Sequence, residues 1–194
     1  MQEFNLLFEP LMMLATEPRT GVLFVLLVIA AVTDYRSYKI PNWLTAGGTA
    51  FALIYNTVVP FSLHAGFLWG LGGFVLGFLV MLPLYALGVM GAGDVKLMAM
   101  VGAFLGVSDT FNAVIATFIV GGVAALVFAL FNQALARMLG NVKSVAQAML
   151  MSAIGGFRPD ARIEASQSVG KLPYGVSISM GTMGYVVARQ LGYA

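Results

Sequence analysis

The sequence predicts an all-α fold: a polytopic membrane bundle of about six transmembrane helices plus one amphipathic helix lying at the interface. Three observations predict it. The chain is 60% hydrophobic and 9% charged, with mean hydropathy +0.91, whereas a soluble domain carries roughly 25% charge. Apolar runs of spanning length, about 17–25 residues, recur between glycine, proline and charged punctuation. Once the helices are drawn, Arg36, Lys39, Lys96, Arg137, Lys143, Arg158, Arg162 and Lys171 share one side, and only Arg19 and Arg189 fall on the other. That asymmetry makes the first side cytoplasmic and turns both termini outward.

The 194 residues suit a single membrane domain, 1–194, with no room for a second sizeable one. A net charge of +2 is too small to imply nucleic acid, so the basic residues read as topology signals. With no cysteine, disulfides, thiolate zinc sites and a cysteine nucleophile are excluded. The segment 1–20 carries three glutamates and one arginine, without the basic first region or small-residue cleavage site of a secretory signal, so the first span is expected to be retained.

The elements follow in order. Residues 22–35 make the first span, with a start that can precede Gly21. Pro41 fits the first turn of a second helix, 42–59, where its missing N–H costs nothing. Residues 60–64 read as a turn. The third span, 65–87, is glycine-rich (Gly66, Gly70, Gly72, Gly73, Gly77), and small residues let membrane helices approach closely. Residues 88–93 form a loop, and Asp94 opens a fourth helix toward Gly106. That helix is short, so it tilts, thins the bilayer locally or starts below the membrane surface. Asp109 marks a turn before a fifth segment, 110–138. In 141–154, Val142, Val145, Ala146, Met149 and Ile154 recur at roughly helical spacing among Lys143, Ser144 and Gln147, the pattern of an interfacial helix. Residues 155–171 are a polar loop and 172–189 the sixth span.

Only eight residues are acidic. Most occupy loops, tails or amphipathic surface, but Asp34 and Asp94 sit at the edges of long apolar stretches. A carboxylate held against hydrocarbon is costly and marks a functional candidate. The layout puts both on the cytoplasmic face although they are 60 positions apart. Two such carboxylates support water-mediated peptide hydrolysis: the ionised one takes a proton from the attacking water, and the protonated one donates to the carbonyl oxygen. Close like charges share one proton, so the pair titrates as a unit and neither residue is assigned a fixed role.

Each aspartate has a structural reading beside this one. Asp94 after Gly91 and Gly93 is also what a glycine turn followed by a helix N-cap looks like. The glycines permit backbone angles closed to other residues and let another chain come near. Asp34, near Tyr35, Arg36 and Tyr38, also fits a polar anchor at a helix end. The combination is more specific: Asp34 followed by Ile40-Pro41-Asn42 and Leu44-Thr45, then Gly91-Ala92-Gly93-Asp94-Val95-Lys96-Leu97 after the third span, then Leu172-Pro173-Tyr174-Gly175 opening the sixth.

In that ordered set the chain resembles the type IV prepilin peptidases, the A24-type Gly-x-Gly-Asp membrane aspartyl proteases. The resemblance implies an endopeptidase of the bacterial inner membrane, working at its cytoplasmic face without cofactor or metal. Its partners would be membrane lipid and a prepilin or pseudopilin precursor, from which it removes a short basic leader ahead of an apolar helix. The catalytic aspartates map onto Asp34 and Asp94. Larger members resemble this chain plus a cysteine-paired insert linked to N-methylation. Here only 35–41 separate the first two spans and cysteine is absent, so peptidase activity alone is expected. The small size looks like the short TadV- or CpaA-like peptidases of tight-adherence (Flp-type) pilus systems.

Supporting residues keep alternatives. Lys96 lies about 200° around a helix from Asp94 and is either a group near the site or a snorkelling anchor. Arg36 and Lys39 are accounted for by topology, and Pro41 and Asn42 by the helix start. Pro173, Tyr174 and Gly175 either shape the cleft floor or break the loop. His64, on the opposite face without companion ligands, suggests no metal site. Two other functions compete. A presenilin-like intramembrane protease would carry Pro-Ala-Leu where this chain has Leu172-Pro173-Tyr174-Gly175. A small ion-coupled transporter would show inverted repeats, which the sequence lacks.

Overall fold

The computed structural model describes residues 18–59, 66–131 and 173–193, together with the single positions 143, 146, 147 and 150. The helices are α1 (Pro18–Ser37), α2 (Asn42–Val58), α3 (Phe67–Ala86), α4 (Ala92–Phe131) and α5 (Tyr174–Gln190). The expectations for the N-terminal segment up to residue 17, for the turn holding His64, for Leu172 and, apart from those single positions, for 141–171 lie outside the described residues.

Helix α1 shows how the sequence aims its aspartate. Its buried residues are Thr20, Leu23, Leu27, Ala30 and Asp34, at alternating steps of three and four, so they form one narrow stripe. Asp34 is simply the next position in the register that buries Leu27 and Ala30. Val25, Val28 and Val32 face outward. In lipid such a surface has no cost, because only polar groups need internal partners there. The Thr33 hydroxyl donates to the Ile29 carbonyl at 2.8 Å and Ser37 to the Thr33 carbonyl at 2.7 Å, so both are satisfied locally. The helix stops at Tyr38, which takes a left-handed φ of 51° and donates its N–H to the Asp34 carbonyl at 2.8 Å.

Pro41 stands one residue before the place expected for it. It is the N-cap of α2, extended at φ −63° and ψ 135°, and its carbonyl accepts the N–H groups of Leu44 and Thr45. The ring's fixed φ suits this extended position as well as the first helical turn.

The centre of the bundle is the first arm of α4, residues 92–105. Leu97, Met98, Ala99, Met100, Val101 and Ala103 are wholly buried, so the stretch 97–105 is apolar all round and enclosed all round. Helix α3 lies antiparallel against it through glycine. A Cβ on Gly73 would run into the Gly102 backbone, and one on Gly70 would stand 3.0 Å from the Ala103 carbonyl. These are backbone-to-backbone contacts that any side chain would wedge apart. Helix α2 runs parallel to the same arm, with Phe51 stacked on Phe104 at 6.0 Å.

The chain reverses at Gly106, not at Asp109. Gly106 has φ 73° and ψ −178°, a conformation essentially reserved for glycine, and a Cβ there would meet the Trp69 indole. Carbonyls near the break find side-chain donors: Asn56 Nδ2 donates to the Ala103 carbonyl at 3.0 Å, and the Thr110 hydroxyl donates to Gly106. The second arm, 107–131, then returns antiparallel to α5. Asp109 pairs with Arg189, Asn112 Nδ2 donates to the Tyr185 hydroxyl at 3.2 Å, and Gly181 packs on the Thr117 backbone. Asp109 therefore follows the turn and ties its far side to α5.

Among the described residues, three helices are long and apolar enough to cross a membrane: Pro18–Ser37, Phe67–Ala86 and Ala92–Val127. The last contains both arms of α4.

Candidate active site

The C-terminal end of α1, the N-terminal ends of α2, α4 and α5, and the C-terminal end of α3 meet at one end of the bundle. Asp34 and Asp94 are both there, and both are buried, at 5% and 8% exposure. They are close enough for the charge of Asp34 to be felt at Asp94.

Asp34 is held by α5. Its Oδ2 accepts the Gly175 N–H at 2.7 Å, and the Val176 N–H, which donates to the Pro173 carbonyl at 3.1 Å, adds favourable electrostatics to the carboxylate. Helix α5 has no side-chain cap of its own, since Pro173 occupies its N-cap in an extended conformation. The first N–H groups of a helix lack internal acceptors and carry partial positive charge. A carboxylate from α1 supplies the missing acceptor. Gly175 is needed for this approach, because a Cβ there would sit 2.8 Å from Asp34 Oδ2. Further along the same contact, the Ser179 hydroxyl donates to the Leu27 carbonyl at 2.9 Å and fixes α5 on α1.

Asp94 is held within its own turn. Helix α4 begins at Ala92, two residues earlier than expected, so Asp94 is the third helical residue and not the N-cap. Its Oδ2 reaches back to the Gly91 N–H at 2.9 Å, and its own N–H donates to the Gly91 carbonyl at 3.1 Å. This is the return half of a capping box. Neither Gly91 nor Gly93 has a positive φ; the left-handed residue before α4 is Gly88, at φ 71°. Gly93 is small for proximity instead, since a Cβ there would lie 3.3 Å from the Ile40 Cβ.

Tyr174 comes within electrostatic reach of Asp94 and so lies beside the pair. Lys96 is exposed and makes no ion pair with Asp94 among the described residues. Its amine donates to Asn42 Oδ1 at 2.9 Å. Tyr35, Arg36 and Lys39 are exposed around the rim. The structure thus gathers Asp34, Pro41, Asn42, Gly91, Gly93, Asp94, Lys96, Pro173, Tyr174 and Gly175 at one end. Sequence reasoning missed the Val176 N–H, the Ile40 contact on Gly93 and the use of the α5 N-terminus as the seat of Asp34. One signal was available: no Ser, Thr, Asp or Asn stands directly before Tyr174, so the helix needed an acceptor from elsewhere.

Residues 21–130 match the model of the type IV leader peptidase family, a stretch that includes both aspartates but not α5. The prepilin leader peptidase/N-methyltransferase of Bacillus subtilis (strain 168) is 37% identical over 89 residues, covering 45% of this chain and 35% of that protein. The chain thus matches about a third of that relative's length. No solved structure matches it. The matched region takes in more than half of the chain and the helices carrying both buried carboxylates, and the chain belongs to the type IV leader peptidase family.

Proposed function

We propose that this protein is an aspartyl endopeptidase of the bacterial inner membrane that removes the leader from prepilin-like precursors. One observation carries the reading: two buried carboxylates from separate helices lie within electrostatic reach at one end of the bundle, each oriented by a backbone N–H. Fixed donors hold the acids in place without using a second charged side chain, so one proton can be shared between them.

In the proposed reaction a water binds between Asp34 and Asp94. The ionised carboxylate takes a proton from it as its oxygen attacks the scissile carbonyl. The protonated carboxyl donates to the carbonyl oxygen, giving a tetrahedral diol. Collapse of the diol transfers a proton to the leaving amine and restores the singly protonated pair. No covalent intermediate forms. The pair acts as a unit, and either aspartate can begin as the base.

The substrate would be a membrane-anchored precursor with a basic leader, cut next to a leader glycine just ahead of its apolar helix. The basic rim and the positive-inside asymmetry support a cytoplasmic site, with six passes and outward termini. The absence of cysteine supports peptidase activity without the methyl transfer named for the Bacillus relative.

Co-expression with candidate precursors tests the reading. Wild-type protein should shorten the precursor on a gel, and Asp34→Asn or Asp94→Asn should leave it full length. Undiminished cleavage by either variant would remove that residue from the mechanism.

A further inference from the structure

The two aspartates are carried by helices that meet only in part. Helix α1 packs mainly on α5 and to a smaller and similar extent on α2 and α4, while α4 packs chiefly on α3, α5 and α2. What bridges the residues themselves is the short strap 38–42, which is fixed at three points. At its start the Tyr38 N–H donates to the carbonyl of Asp34 itself at 2.8 Å, with Tyr38 in a left-handed conformation that is unusual for a non-glycine residue. Near its middle the Ile40 side chain seats on Gly93, the neighbour of Asp94. At its end Asn42 Oδ1 accepts from Lys96 Nζ at 2.9 Å, across 54 positions of sequence.

We propose that Lys96 is a positioning residue: by gripping Asn42 it clamps the 38–42 strap onto the turn carrying Asp94 and so sets the spacing of the two carboxylates. The inference rests on the peptidase reading. The geometry separates it from direct chemistry, because the amine is directed at Asn42 and makes no ion pair with Asp94. It also separates it from a plain snorkelling anchor, which needs only headgroups and water around the amine. The choice of partner fits. A neutral amide accepts from the ammonium without adding a third carboxylate beside a pair that must share one proton. Because the contact is exposed, it contributes little to stability, and its effect is on geometry.

Steady-state cleavage of a synthetic precursor by the purified full chain tests this with Lys96→Met, Asn42→Ala and the double variant. Misplacement of about 1 Å is enough to cost roughly a hundredfold in rate. Each single variant should therefore lower kcat by about tenfold to a hundredfold with KM within about twofold, and the double should be no worse than either. A silent Asn42→Ala beside a damaging Lys96→Met would overturn the clamp, leaving Lys96 as an anchor. A loss expressed in KM alone would overturn it in favour of substrate contact.

A second measurement needs no activity. The chain has no native cysteine, and a Cβ at position 93 would stand 3.3 Å from that of Ile40, close to disulfide spacing. Ile40→Cys with Gly93→Cys should cross-link on mild oxidation in membranes, and adding Lys96→Met should slow this several-fold. An unchanged rate would overturn the clamp. An uncut precursor with cross-linking still dependent on Lys96 would instead sink the peptidase reading alone.

Discussion

The Gly175 N–H donates to Asp34 Oδ2 at 2.7 Å, joining the first and last described helices across 141 positions of sequence. Either side of this bond is incomplete alone. The α5 N-terminus has no side-chain acceptor of its own, and Asp34 has no intrahelical donor for its carboxylate. Together they make an oriented anion seated on a helix end.

Gly175→Ala tests that bond most directly. The new methyl would stand 2.8 Å from Asp34 Oδ2 and 3.0 Å from its Cβ and Cγ, so the carboxylate has to move. Precursor cleavage should fall about a hundredfold, while the protein still inserts and purifies. Wild-type turnover would show that Asp34 does not need this position.

Asp34→Asn and Asp34→Ala should part company. The asparagine keeps an acceptor oxygen for the α5 N–H groups, whereas alanine leaves buried donors unpaired at about 1–3 kcal/mol. Thermal unfolding in detergent should place asparagine near wild type and alanine clearly below it. Cleavage should be lost in both. Equal stability of the two variants would contradict the cap reading.

Gly73→Ala should destabilise the bundle without touching the site. Its methyl collides with the Gly102 backbone, an overpacking worth about 1–3 kcal/mol. The loss should appear as a lower unfolding temperature in detergent. A neutral result would mean that α3 and the first arm of α4 are not in backbone contact.

Gly106→Ala should be more severe than an ordinary helix substitution. Backbone strain at φ 73° and ψ −178° costs of order 1–3 kcal/mol, and the methyl also meets Trp69. Trp69→Ala in the same chain should relieve the steric part and leave the backbone part. Full rescue by Trp69→Ala would show that strain plays no role at this turn.

Much of this was legible in the chain. The steps of three and four from Thr20 to Asp34 are local, so sequence alone determined that Asp34 faces inward with Leu27 and Ala30. The run 97–105, apolar on every side, likewise marks a buried segment. The reversal was misread at Asp109 because a polar residue is a common turn signal. The actual break needs a backbone state that glycine alone adopts readily, and it falls at Gly106, where the fourth helix was expected to end.

Tertiary structure alone decided what Asp34 and Lys96 touch. Asp94 finds its donor three residues away, at Gly91, and a short-range rule covers that bond. Asp34 finds its donor at Gly175, and Lys96 finds Asn42, through the packing of whole helices. Periodicity fixes which way a side chain points from its own axis; only the assembled bundle determines which distant backbone stands opposite.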